Sequence, residues 1–440
     1  MVNLFRLLYF LQKANKRLYW SKSELNRYQD KRIRSIVKYA YDTVPFYHQL
    51  YKQYGVDVAK IEKVEDLEKL PVVKKAFFKQ QEPRTLVSTQ YQLESLKQVR
   101  TSGSTGTPFT IYLNPEEDAW RKAIYMRANI ACGQKARDRW VVLTAPTHYK
   151  DTTNIQRKLN VFAQNCVSLF EPSDVKVQQV VAAKPDVLDG YSGSVAMLAK
   201  EAIKRNITTI RPHVVFGNAE YLDPHSRQCI EEAFDAPYCD QFGCAEIDRS
   251  AWQCLERKSY HLDVDSVITE FIDEKDKPVA GGERGQVAYT SLFNYTMPFI
   301  RYAIGDIAVP DEEDTCPCGI TLPLMKVVEG RKDAFLTLPG GRTFSPFIFN
   351  YAMSTFSLFR YIDQYQIHQK KVDQMDIYFK LSSSPIEQTK IAQEFSAHIN
   401  KFFDLQNDDV KFNISFVAEI PLSKTGKLRS VWSDVPNQLG

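Results

Sequence analysis

Between residues 139 and 220 the chain repeats one pattern, and that pattern limits its fold more than any other feature. "RWVVLTAP" (139–146), "PDVLDGYSG" (185–193) and "HVVFGNAE" (213–220) each read as a buried strand running into a loop, and "SVAMLAKEAIKR" (194–205) reads as a helix between two of them. Strand, turn and helix in repetition commit a chain to an α/β fold with much parallel pairing and helices on the sheet faces. In such sheets a ligand sits at the carboxyl ends of the strands.

The flanks differ from this centre. Residues 23–54 carry charged and aromatic residues at helical spacing, so residues 1–70 are expected to be mainly helical, and Pro71 to Pro83 read as a connector around "VVKKAFFKQQ". The composition shifts after "GRKDAF" (330–335), which predicts a large N-terminal domain over 1–331 and a small α+β domain over 332–440. With 440 residues, 44% hydrophobic and 25% charged, the chain is too long for one ordinary domain and has the profile of a soluble globular protein. Its 57 basic and 53 acidic residues leave a formal charge of +4, which gives no nucleic-acid footprint and points to a small-molecule partner. No window approaches the ~18 uninterrupted apolar residues of a membrane span. The start, "MVNLFRLLYFLQKANKR", is interrupted by Arg6 and lacks a small-residue cleavage site, so it reads as an amphipathic helix rather than a signal peptide. We expect that helix to pack on its own domain, with attachment to a membrane surface as the alternative. Eight cysteines in so long a chain make no disulfide framework and fit a reducing cytoplasm.

"TSGSTGTP" (101–108) poses the chemical question. A loop so rich in Gly, Ser and Thr can turn its N–H groups and hydroxyls inward as a phosphate cradle, and a flexible surface loop has the same composition. No lysine follows Gly106, so it is not the GxxxxGK[ST] loop. Four further segments follow in order: "QFGCAE" (241–246), "FIRYAIGD" (299–306), "GRKD" (330–333) and "PLSKTGK" (421–427). Together the five resemble the ordered signature of adenylate-forming enzymes, the superfamily of acyl-CoA synthetases, peptide-synthetase adenylation domains and luciferases. "AYDTVPFY" (40–47), "GNAEYLDPHSRQCIEEAF" (217–234) and "CPCG" (316–319) narrow the resemblance to the phenylacetate–CoA ligase-like branch, including homologues associated with capsular polysaccharide genes.

The resemblance implies two half-reactions. A carboxylate attacks the α-phosphorus of ATP to give acyl-adenylate and pyrophosphate, and a thiol or amine then takes the acyl group. Ser102, Gly103, Ser104, Thr105, Gly106 and Thr107 would hold the β- and γ-phosphates, and Glu246 would hold Mg²⁺, which offsets charge on the transferring phosphoryl group. Asp306, on a Gly-Asp turn, would accept from the ribose hydroxyls, and Arg331 would reach the ribose or phosphates. Gly217, Asn218, Ala219 and Glu220 would lie along the adenine, with Gln241, Phe242 and Gly243 beside it. Ala145, Tyr191, Phe216 and Gln241 flank these motifs and are the expected acid-pocket positions. Lys427 would be the catalytic cation, carried on a mobile C-terminal lid that turns about a hinge at Lys332 and Asp333. Phe242 stands where the family often has tyrosine, and Ala334 where it often has a second acid.

Cys254, His261, Cys316 and Cys318, spaced C-x6-H…C-x-C, offer three thiolates and an imidazole, a closed tetrahedral set suited to structural zinc. The spacing is not that of a zinc finger, so buried free cysteines are the alternative, and similar sites in homologues of the branch favour the metal. Cys132, Cys166, Cys229, Cys239 and Cys244 read as small core residues. The expected partners are therefore ATP, Mg²⁺, a small carboxylic acid and CoA. Transfer to a carrier protein or an amine in surface-polysaccharide assembly is a second reading, and a catalytically inactive nucleotide-binding protein a third. A homodimer is left open.

Overall fold

A computed structural model describes residues 4–100, 109–149, 154–256, 258–313, 315–382, 386–406, 409–423 and 426–436. The chain forms two compact units, one of Met1–Gln134 with Cys239–Val327, the other of Lys135–Tyr238 with Val328–Gly440.

In the second unit the repeated pattern becomes four parallel strands in the order Gln164–Ser168, Trp140–Thr144, Val187–Tyr191, Val214–Asn218. Every residue of Trp140–Thr144 and Val187–Tyr191 is buried, as parallel strands covered on both faces require. Helices Ser173–Ala183, Ser192–Lys204 and Pro224–Phe234 supply Val177, Val195, Leu198 and Phe234 to a core with Leu143, Leu188 and Val215. Thr144 pairs with Ser168, and Tyr191 with Asn218, so the carboxyl ends of these strands finish level. Beyond Val328 a separate four-stranded sheet runs Lys411–Phe416, Gln374–Leu381, Ile362–Lys371, Val431–Ser433. Helix Gln388–Phe403 buries Ile391, Phe395, Ile399 and Phe403, a four-residue spacing that gives it one apolar face. Among the described residues, its core cluster draws on residues from Leu336 to Val431.

The first unit opens with helices Leu4–Arg17, Lys22–Thr43 and Pro45–Gln53. Ser21 and Glu24 form a reciprocal cap on the second, and Pro45 begins the third, where its missing N–H costs nothing. The first helix buries Leu7, Phe10, Leu11 and Ala14, and Phe10 meets Trp120 edge-on at 5.5 Å. Phe5, Leu8 and Tyr9 face outward, and no described helix is long and apolar enough to cross a membrane. Strands Val267–Ile272, Gly285–Ser291 and Tyr302–Pro310 pair antiparallel. The stretch expected to be a plain connector instead gives strand Val73–Lys74, parallel to Tyr302–Ala303, and helix Lys75–Lys79.

Helix Pro115–Ala131 runs through this unit and carries Arg127 into a dry cluster of charge. Arg127 Nη1 donates to both oxygens of Asp265 at 2.9 Å, and Nη2 to Asp263. Asp263 also accepts from Arg249 Nε at 3.0 Å and Trp252 Nε1 at 3.1 Å. Arg17 Nη1 reaches Asp265 at 3.5 Å. Buried charges persist only when paired and hydrogen-bonded in this way.

Candidate active site and metal centre

Three loops meet at the carboxyl ends of the parallel strands in the second unit. Gly217 is required there, because a Cβ would lie 1.7 Å from the Tyr238 hydroxyl. That hydroxyl donates to Ser192 Oγ at 2.8 Å, and Ser192 Oγ donates to the Asn218 carbonyl at 3.2 Å. Asn218 Nδ2 donates to buried Asp189 at 3.2 Å, and Ala219 takes a left-handed φ of 69° that turns the chain outward. The expected pocket residues Ala145, Tyr191 and Phe216 are all buried, and the Tyr191 hydroxyl lies 2.6 Å from His148 Nδ1. Lys427 Nζ stands 6.0 Å from the centroid of the Tyr191 ring, within cation–π range. The Glu220 carboxylate accepts from Gly193 N–H at 2.9 Å and from Leu428 N–H. Arg331 closes the strand Leu324–Arg331 and pairs with Asp333 at 3.1 Å, and Lys332–Ala334 form one 3₁₀ turn.

The first unit holds a separate group of acidic candidates. Glu246, 1% exposed, lies just past strand Tyr238–Cys244. Its Oε1 is 2.8 Å from Lys75 Nζ and accepts from the Tyr302 hydroxyl at 3.0 Å. Asp306 is not on a turn: it lies inside strand Tyr302–Pro310, after Gly305 with φ 92°. There the pairing with Gly285–Ser291 slips by a bulge, which re-aims the side chain. Asp306 and Glu246 share a neighbourhood, since both charges act on the Cys244 thiol, which burial pushes far above its ordinary range. Gln241 is buried, and its Nε2 donates to Asn129 Oδ1 at 2.8 Å. Gly243 sits at a bulge where a Cβ would meet the Asp248 carbonyl at 2.0 Å. Phe242 is half-buried on the same strand. Arg301 of "FIRYAIGD" is structural: it pairs with Glu270 at 3.0 Å and donates to the Leu70 carbonyl at 2.8 Å.

Cys254, His261, Cys316 and Cys318 converge, their ligand atoms all within 4.8 Å of one another. Sulfurs on a tetrahedral zinc with Zn–S of ~2.3 Å lie ~3.7 Å apart. Cys254 and Cys316 Sγ are 3.6 Å apart, and Cys318 Sγ is 3.3 Å from His261 Nε2. Burial pushes the imidazole down to about 4, so it is neutral, the form that binds a metal. Sequence spacing alone left this set ambiguous; strand pairing of His261 with Trp252 and Leu324 brings its parts together.

Comparison with protein-family models finds no match. Among curated proteins the chain is 25% identical over 329 residues to phenylacetate-coenzyme A ligase of Thermus thermophilus, spanning 72% of this chain and 73% of that one. It is 23% identical over 423 residues to Protein CapK of Staphylococcus aureus, spanning 92% and 89%. A crystal structure of 2-hydroxyisobutyryl-CoA ligase, in the postadenylation state in complex with 2-HIB-AMP, matches with a TM-score of 0.78 at 20% identity, over 94% of this chain and 91% of that one. The chain shares the fold of that ligase and is similar in sequence to phenylacetate-coenzyme A ligases.

The expected phosphate loop Ser102, Gly103, Ser104, Thr105, Gly106 and Thr107 lies outside the described residues. Lys75 is the functional candidate that sequence reasoning missed. It lay inside the supposed connector, and its only signal was "KK" at the head of a short helix.

Proposed function

We propose that the protein uses ATP to convert a carboxylic acid to its acyl-adenylate and then transfers the acyl group to CoA. The observation that carries this reading is Lys427 Nζ over the ring of Tyr191, at the carboxyl end of the parallel strands. A cation is needed there as negative charge gathers between the acid and the α-phosphate. Glu246, oriented by Lys75 and Tyr302, takes the Mg²⁺ that accompanies ATP. Asp306 accepts from the ribose hydroxyls, the segment Gly217–Ala219 lies along the adenine with Phe242 and Gly243 near it, and Arg331 approaches the nucleotide once it leaves Asp333. The loop 102–107 holds the departing pyrophosphate. Ala145, Tyr191, Phe216 and Gln241 border the acid.

In this reading residues 332–440 move as a lid about Lys332 and Asp333, which the self-contained core from Leu336 to Val431 favours. Cys254, His261, Cys316 and Cys318 hold a structural zinc; four protein ligands leave no open position for catalysis. Eight free cysteines suit a cytoplasmic location.

The alignment with Protein CapK covers more of the chain than that with the Thermus enzyme but names no acceptor, so transfer to a carrier protein or an amine, as in surface-polysaccharide assembly, is the outcome that the test sets against CoA. A panel of carboxylic acids, each assayed for pyrophosphate release with and without CoA, tests both. CoA-dependent turnover with at least one acid supports the ligase. Acid-dependent exchange of pyrophosphate into ATP without CoA-stimulated turnover would move the acceptor to the second reading, and no activity with any acid would overturn adenylation.

A further inference from the structure

Glu220 follows a left-handed residue, Ala219, which swings its side chain off the strand end. The carboxylate then bridges two segments more than two hundred residues apart. Oε2 accepts from Gly193 N–H at 2.9 Å, in the first turn of helix Ser192–Lys204, and Oε1 accepts from Leu428 N–H, the residue after Lys427. Gly193 is fitted to this bridge: a Cβ there would lie 2.7 Å from Glu220 Oε2 and 4.0 Å from Leu428 Cβ. The other end of the Lys427 turn is pinned as well. Lys427 N–H donates to Ser423 Oγ at 3.0 Å and Gly426 N–H to the Ser423 carbonyl at 2.8 Å. Gly426, at φ 81°, approaches Leu169 so closely that a Cβ would meet Cδ1 at 2.6 Å.

We infer that Glu220 is a positioning residue, a clamp that holds the Lys427 turn at the strand ends for adenylate formation and must release Leu428 before the second half-reaction. This rests on the ligase reading above and adds to it a residue acting through Lys427 rather than on the nucleotide. The clamp suits reversible use. Its two bonds are backbone N–H to carboxylate, stronger than neutral pairs, yet only one of them crosses to the Lys427 segment. Withdrawal of water pushes the carboxyl up to about 7 against the pull of the Gly193 and Leu428 N–H groups and the Lys427 charge, so opening, which returns the group to water, relieves a cost that the closed clamp carries.

The test needs no substrate at first. Hydrogen exchange read by mass spectrometry on peptides covering 426–430 should be about tenfold faster at Leu428 in Glu220→Ala than in the unmutated full chain, the worth of one charge-assisted hydrogen bond. Gly193→Ala, which leaves Glu220 in place and denies it room, should do the same. Glu220→Gln keeps one acceptor oxygen and should fall between. With whichever acid the pyrophosphate panel finds active, Glu220→Ala should lose about tenfold or more in adenylate formation and keep its rate of CoA transfer from supplied acyl-adenylate. Unchanged exchange at Leu428 in both alanine variants would overturn the clamp, as would equal losses in the two half-reactions. A raised KM for ATP with unaltered exchange would make Glu220 an adenine contact instead. A panel with no active acid would remove the ligase reading, while the exchange comparison would still decide whether Glu220 holds the turn.

Discussion

Gly217 lies so close against Tyr238 that a Cβ at position 217 would be 1.7 Å from the phenolic oxygen and 2.3 Å from Cζ. The ring and the strand end can share that space only if residue 217 has no side chain. Gly217→Ala should therefore destabilise the protein by about 3 kcal/mol or more, at the upper end of overpacking costs. Tyr238→Ala leaves a cavity and is costly by itself, but the added penalty of Gly217→Ala should shrink in its background. Urea unfolding of the four proteins in the cycle measures this coupling, and additive penalties would mean that the close approach is not what demands glycine.

Glu117 predicts a pH dependence of stability. It caps helix Pro115–Ala131, accepts from Thr296 N–H at 2.7 Å and Asn114 N–H at 3.1 Å, and burial pushes it up to about 7. A carboxyl raised in the folded state contributes stability that is fully present below its unfolded value of about 4.5 and is lost as pH rises through 7. Glu220, also pushed up to about 7, adds in the same direction. Glu117→Gln should flatten part of the fall in melting temperature between pH 4.5 and 7. An unchanged slope would show that Glu117 is charged at no cost.

Metal analysis of protein purified without chelator should find about one zinc per chain. Cys316→Ser or Cys318→Ser, or removal of the metal by chelation, should lower the melting temperature before it changes ATP affinity, because a saturated site stores folding free energy. Zinc absent from such protein would leave the four residues as free thiols and a neutral histidine.

Lys427→Ala should reduce adenylate formation on the order of 10²-fold, comparable to losing one preorganised electrostatic contact. Transfer from a chemically supplied acyl-adenylate to CoA should be nearly untouched. Rapid-quench assays of the separate half-reactions read this split. Loss in both would point to general damage beyond Val328, and loss in neither would make Lys427 a surface residue.

How much of this could be read from the chain alone depended on how local each signal was. Strands Trp140–Thr144, Val187–Tyr191 and Val214–Asn218 were legible because each is a continuous apolar run. The antiparallel strands Val267–Ile272 and Gly285–Ser291 were not singled out, since their burial does not follow simple alternation and Thr269 and Glu270 interrupt it. Motif residues Glu246, Asp306 and Lys427 were found by order along the chain. Their settings were not: Lys75 is remote in sequence from Glu246, and the bulge at Gly305 depends on a partner strand. The donation of Gln241 Nε2 to Asn129 Oδ1 had no local signal either, since it is set by the helix packed against that strand. Arg127, Asp263 and Asp265 carry no local signal, because nothing in the neighbouring sequence distinguishes a buried ion cluster from a surface one.

That cluster also constrains how the protein is made. Arg17, Arg127, Arg249, Asp263 and Asp265 come from widely spaced parts of the chain, and Asp263 and Asp265 are fully enclosed. Withdrawing either aspartate from water without its arginines would cost several kcal/mol. During synthesis, then, helix Leu4–Arg17 and helix Pro115–Ala131 emerge long before the acids that neutralise them, and their guanidinium groups must stay hydrated until the ribosome has released Asp265. Closure of this unit is therefore a late, all-together event, which leaves the apolar faces of its earliest helices open to chaperones for more than half the length of the chain.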